Sequence, residues 1–295
     1  MESTVTNSTN ISQIIIETIN TLLSTLFSSI DNSVYDLLDK LAFINVNIFD
    51  NSMLEKLFGY NSTNGILIIA NSLLFAVCLY YCIKLLYAHL TGISVENPYQ
   101  FIFKLIIFGT LINASYFFCE FFIYFISLIS AAIRDVGLFV FEENISFSSL
   151  IEHLNSYITV DSSLNVFSLD GILKSLCSIS FINLILSYSL RYIMVKVLIL
   201  ITPFAILTLI NSSTSWFFKA WFKIFISLLI LQPFISIILL IFFTLDFNNS
   251  DITSKILCVG SLYALIRANS YIQHFIGGIS TDIFTNLKSL KTNFK

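Results

Sequence analysis

The sequence predicts an all-α protein: a polytopic transmembrane helical bundle of about five spans, with amphipathic helices at its N-terminus. Three observations predict it. First, five apolar stretches, at about 66–88, 101–130, 177–210, 216–245 and 256–276, reach the roughly 20 residues that a helix needs to cross a bilayer. Second, 56% of the 295 residues are hydrophobic and 11% are charged, where a soluble domain carries about 25% charged residues. Third, basic residues collect at alternate ends of the stretches. Lys84, Lys104, Lys219, Lys223, Arg267, Lys288, Lys291 and Lys295 fall on one side, against Lys40, Lys56, Arg134, Lys174 and Lys255 on the other. The positive-inside rule then predicts an extracytoplasmic N-terminus and a cytoplasmic C-terminus. Because hydrocarbon offers no partner for backbone groups, the spans are expected to be helices; the alternating pattern of a barrel is absent.

Residues 1–62 form the predicted extracytoplasmic region. Ile11, Ile15, Ile19, Leu22, Leu23, Leu26 and Ile30 share one face at helical spacing, and Val34, Leu37, Leu38 and Leu41 repeat the pattern. Such helices lie on the outer leaflet, pack on a partner or cap this protein's own bundle. Glu2 and the lack of a basic start give no sign of a cleavable signal peptide.

The transmembrane domain is expected over 63–276. Its longest connection is an acidic, Ser- and Asn-rich outer loop at about 131–176. Residues 277–295, polar and lysine-bearing, are expected to be a cytoplasmic tail. The stretch 177–210 exceeds a single crossing, about 50 Å as one helix, and contains Pro203. It is expected to be tilted or broken. Residues 256–276 hold only a short apolar core before Arg267 and Asn269, which leaves open whether they span or re-enter.

Ionisable groups at membrane depth are costly and therefore point to function. Glu120 continues a polar stripe with Asn113, Tyr116 and Tyr124, and Arg191 continues another with Ser180, Asn183 and Ser187. An intramembrane charged pair between Glu120 and Arg191 is the sharpest expectation, either as a clasp that fixes register or as part of a substrate path. Gly260, Ala264 and Ala268 form a small-residue stripe suited to close helix packing. Pro203 and Pro233 are expected to bend their helices. Trp216 and Trp221, among Phe217, Phe218 and Phe222, are expected to form an interfacial aromatic belt. Lys84, Lys104, Lys196, Lys219 and Lys223 would snorkel to the headgroups.

No enzyme is expected. The sequence has no phosphate-binding G-x-x-x-x-G-K-[ST], no H-E-x-x-H and no G-x-S-x-G. The cysteines Cys78, Cys82, Cys119, Cys177 and Cys258 give neither a disulfide framework nor a zinc set, so neither a metal nor another cofactor is expected. A net charge of −3 without a basic tract gives no footprint for nucleic acid in solution.

The residues from Arg191 to Pro233, RYIMVKVLILITPFAILTLINSSTSWFFKAWFKIFISLLILQPF, set a proline after an apolar run, then a short polar loop, then tryptophan-bearing aromatics. This stretch, with SLYALIRANSYIQHFIGGISTD at 261–282, resembles the TrbL-type polytopic inner-membrane subunit of type IV secretion and conjugal transfer systems, in its low-GC Gram-positive form. The layout from about 60 to 285 is similar; the motifs cover about a quarter of the chain. The resemblance implies a channel or scaffold subunit that contributes to passage of DNA or protein substrate. It implies as partners other secretion-system membrane subunits, secretion ATPases, a coupling protein, transferring single-stranded DNA, the lipid bilayer and further copies of the same chain. Pro203, Trp216 and Trp221 carry over only as structural positions. The rival expectation is a solute transporter or permease membrane subunit using Glu120 and Arg191.

Overall fold

A computed structural model describes residues 32–49, 52–59, 64–157, 169–245 and 252–276, together with Ile14, Ile15, Thr18 and Thr21. The tail at 277–295, part of the outer loop and most of the first amphipathic pattern lie outside the described residues. Every regular element described is helical: α1 (Asn32–Ala42), α2 (Ser52–Phe58), α3 (Ile66–Thr91), α4 (Pro98–Asn113), α5 (Ser115–Phe141), α6 (Phe147–Tyr157), α7 (Leu169–Leu207), α8 (Ser215–Phe243) and α9 (Ile252–Ile276).

Four of these helices are long and apolar enough to cross a membrane: Ile66–Thr91, Ser115–Phe141, Ser175–Leu207 and Ser215–Phe243. The chain is a multi-pass helical membrane protein. Two expected spans change character. The stretch 101–130 divides at Ala114 into α4 and α5. Local side chains explain the break: Asn113 Nδ2 donates to the Gly109 carbonyl at 2.8 Å, and Ser115 Oγ donates to the Ile112 carbonyl at 2.6 Å. Back-bonding of this kind competes with the helical ladder. The stretch 256–276 forms most of α9, which is not among the four. By contrast, 177–207 is a single helix, with Pro203 one turn from its C-terminus.

α3 ends at Gly92, whose φ of 71° is left-handed and whose amide closes the last turn onto the Ala88 carbonyl. Asn97 then caps α4 at the Tyr99 amide, with Pro98 in the first turn, where its missing N–H costs nothing. α4 folds back along α3: Tyr81 stacks on Phe101 at 3.6 Å between ring centroids, and Asn71 Nδ2 donates to Asn113 Oδ1 at 3.1 Å. The hairpin rests on the C-terminal end of α7, with Leu67 and Ala70 near Ile206, and Tyr81 and Phe101 near Ile210. The outer face of α3 stays apolar and exposed through Phe75, Ile83 and Leu90.

The core lies among α5, α7, α8 and α9. α7 and α8 are antiparallel, joined through residues 208–214. α5 runs alongside both, tied to α7 by Cys119 and Thr202 at 3.0 Å and to α8 by Ser130 and Ser236 at 2.6 Å. Gly137 sets the approach at the far end of α5. A Cβ there would lie 2.2 Å from Ile145 and 2.9 Å from Leu240.

The described residues within 41–58 pack against the bundle. α1 caps α7 and α6, with Leu38 and Leu41 buried. Of the three placements open to the short amphipathic helix, the structure takes the cap on its own bundle. Phe43 to Phe49 then pass down the bundle as largely irregular chain. Ile44, Ile48, Phe49 and Leu54 pack against Cys119, Ile123, Val195, Leu198, Trp221 and Phe225. Along this segment Phe43, Ile44, Ile48 and Phe49 are buried, while Asn45 and Asn47 stay exposed.

Candidate functional site: a buried arginine between two proline-bearing helices

Arg191 sits at the centre of the bundle with no solvent exposure. Helical spacing places it one turn beyond Ser187 and two beyond Asn183, on the stripe of α7 turned inward; all three are buried. Its guanidinium reaches two main-chain oxygens. Nε donates to the Leu228 carbonyl of α8 at 2.8 Å, and Nη1 donates to the Ala42 carbonyl at 2.7 Å. Ala42 closes α1, so its carbonyl belongs to the negative end of that helix's dipole, where a cation is stabilised.

The expected pairing with Glu120 is not formed. Glu120 is half-buried on another face of α5 and lines a groove of about 530 Å³ with Val46, Phe117, Phe121 and Tyr124. Arg191 is held by peptide dipoles, and Glu120 faces outward. Asn113, the first residue of the stripe assigned to Glu120, ends α4 rather than lying on α5.

Trp221 also departs from expectation. It is 3% exposed, and its indole Nε1 donates to the Leu198 carbonyl at 3.0 Å, so it is a core residue and not part of a belt. Trp216 is 66% exposed and keeps the peripheral position. Phe225 stacks on Trp221 at 5.3 Å. The prolines give these two bonds a common form. Pro203 and Pro233 each remove one amide from their helix and clash with the carbonyl four residues back. In each case the carbonyl one residue further back receives the donor from the other helix: Leu198 before Pro203, Leu228 before Pro233. The Leu198 carbonyl also accepts from the Thr202 hydroxyl at 2.9 Å.

The small-residue stripe does not pack as a unit. Ala268 is buried in the core, Ala264 is half-buried, and a Cβ on Gly260 would meet nothing within 4 Å. Sequence reasoning passed over Gly137, the glycine that does carry close packing; its neighbour Ile145 lies beyond the helix end, where spacing within one helix gives no signal.

A second site, also missed, joins α1 to α6. Asp39 accepts from the Phe147 amide at 2.9 Å, the Ser148 amide at 3.4 Å and the Ser148 hydroxyl at 3.2 Å, capping α6 across 108 residues of chain. Burial pushes the Asp39 carboxyl above its ordinary value, against the opposing pull of those donors and of the Arg134 charge. The Arg134 guanidinium lies 4.3 Å from the centre of the Phe43 ring. Among the described residues, no group of three or more His, Cys, Asp or Glu side chains is placed to hold a metal ion. Compared with known proteins, the chain matches no family model, no curated protein and no solved structure.

Proposed function

We propose that this chain is a channel or scaffold subunit in the membrane part of a conjugative type IV secretion system, contributing to passage of DNA or protein substrate. In this reading α9 makes a fifth crossing beside the four long apolar helices, the N-terminus is extracytoplasmic and the C-terminus cytoplasmic, and the subunit works beside other membrane subunits, secretion ATPases and a coupling protein. The observation that carries the proposal is the segment from Arg191 to Pro233. The residues that resemble the TrbL-type subunit are the same ones that build the two-way clasp of α7 and α8. A scaffold needs such a fixed pair of helices at its centre. The transporter alternative drew on a Glu120–Arg191 site, and those side chains do not meet. Deletion of the gene followed by a mating assay tests the proposal, with crosslinking of transferring DNA to the spans. Transfer is expected to be lost and restored by the intact gene; unchanged transfer frequency would remove the proposal.

A further inference from the structure

Four buried side chains in the middle of the bundle each carry a polar atom without a hydrogen-bond partner among the described residues. They are Arg191 Nη2, Ser187 Oγ, Gln232 Oε1 and Asn269 Nδ2. The residues are 0%, 4%, 2% and 4% exposed. Buried polar groups are nearly always satisfied, and each exception asks for an explanation.

The register of the helices brings the other three to within about one turn of Arg191. Arg191 meets Leu228 and Leu198 meets Trp221, so a step of seven residues along α7 matches seven along α8 in the opposite direction. One turn from Arg191 in the same register, Ser187 faces Gln232. On α9, the Leu265 carbonyl accepts from Tyr188 Oη at 3.4 Å. A helical carbonyl points toward the residue four ahead. The Leu228 oxygen that Arg191 touches is therefore aimed toward Gln232, and the Leu265 oxygen that Tyr188 touches toward Asn269.

The chemistry of the cluster is lopsided. Arg191 Nη2 and Asn269 Nδ2 offer two hydrogens each, and Ser187 offers one. Gln232 Oε1 accepts, the Ser187 hydroxyl accepts as well as donates, and turning the Gln232 amide over makes it a donor too. The one formal charge is positive, and its two bonded partners are peptide dipoles rather than a carboxylate. A cation is thereby excluded, and a single charge calls for a single opposite one.

We propose that Arg191, Ser187, Asn269 and the amide of Gln232 form a binding site for one small monovalent anion of the chloride class, enclosed by α7, α8 and α9. This site does not depend on the secretion-system reading.

The test uses the purified full chain in detergent, with thermal unfolding measured in sodium chloride and in sodium gluconate at equal ionic strength. Chloride is expected to raise the midpoint saturably, and a hundredfold excess over its Kd should raise the folded-to-unfolded ratio about a hundredfold. Arg191→Gln should abolish the effect. Because that change also removes two structural hydrogen bonds, Asn269→Leu is the deciding variant, and it should reduce chloride affinity at least tenfold while the protein stays folded. Crystals grown in sodium bromide should show anomalous density beside Arg191 Nη2. Equal midpoints in chloride and gluconate, an unchanged response in Asn269→Leu, or a position without anomalous signal would each overturn the site.

Discussion

Arg191 and Trp221 cross the α7–α8 interface in opposite directions, each donating to a carbonyl five residues ahead of the other helix's proline. The lengths, 2.8 and 3.0 Å, are those of well-formed bonds. Each bond lands one residue before the carbonyl that the partner helix's proline leaves without its amide. Trp221→Phe keeps an aromatic ring, deletes the donor and empties the space of the indole's second ring; it is expected to cost about 2–3 kcal/mol. Trp216→Phe, at an exposed position, should stay within about 0.5 kcal/mol of the parent. Chemical denaturation in detergent measures both, and equal losses would remove the distinction between the two tryptophans.

Glu120 and Arg191 should behave independently. Arg191→Gln removes a charged donor from two buried carbonyls and is expected to destabilise by about 2–5 kcal/mol. Glu120→Gln, in an open groove, should cost little. The double variant is then expected to equal the two single effects combined, to within about 0.5 kcal/mol. A coupling above about 1 kcal/mol would mean that the two side chains meet in solution.

Two glycines with the same name in the sequence should answer oppositely. Gly137→Ala places a methyl 2.2 Å from Ile145 Cγ1 and is expected to destabilise by about 1–3 kcal/mol as the contact is forced apart. Gly260→Ala adds a methyl in open space inside a helix, and should stabilise by up to about 1 kcal/mol through helix propensity. Melting temperatures of the two variants, measured side by side, decide it. A reversed order would contradict the packing described.

Asp39 supplies a pH dependence. Its carboxyl is raised above the ordinary 3.8, first by burial. A raised carboxyl holds its proton more tightly folded than unfolded. Its contribution is therefore fullest below the unfolded value and declines as pH rises through the folded one. Asp39→Asn abolishes the titration and keeps an oxygen for the Phe147 amide. The stability of the parent relative to Asp39→Asn should fall as pH rises from below 3.8 through the raised value, then level off. A constant difference over that range would show that Asp39 does not titrate as described.

Helix class and the apolar stretches were legible because hydropathy over twenty residues is a strong signal. The stripe of Asn183, Ser187 and Arg191 was legible too, since helical spacing places those residues on one face. What Arg191 would touch was not. A carboxylate is visible in a sequence, whereas the carbonyls of Ala42 and Leu228 belong to residues whose side chains say nothing of them. The break at Ala114 did leave a trace, the polar pair Asn113 and Ser115 within an apolar run. Its effect depends on which backbone oxygens those side chains find. Trp221 read as a belt residue because its neighbours Lys219 and Lys223 are exposed and basic; two residues along the helix, about half a turn of rotation, separate them from the core face.

The bond from Arg191 to Ala42 joins positions 149 residues apart, and Leu228 adds a third strand of chain that emerges later still. During synthesis, Arg191 can therefore reach only the Ala42 carbonyl until α8 has left the ribosome. Until then the guanidinium must stay near water or borrow other oxygens. A chain truncated before Leu228 leaves Arg191 without one of its two anchors.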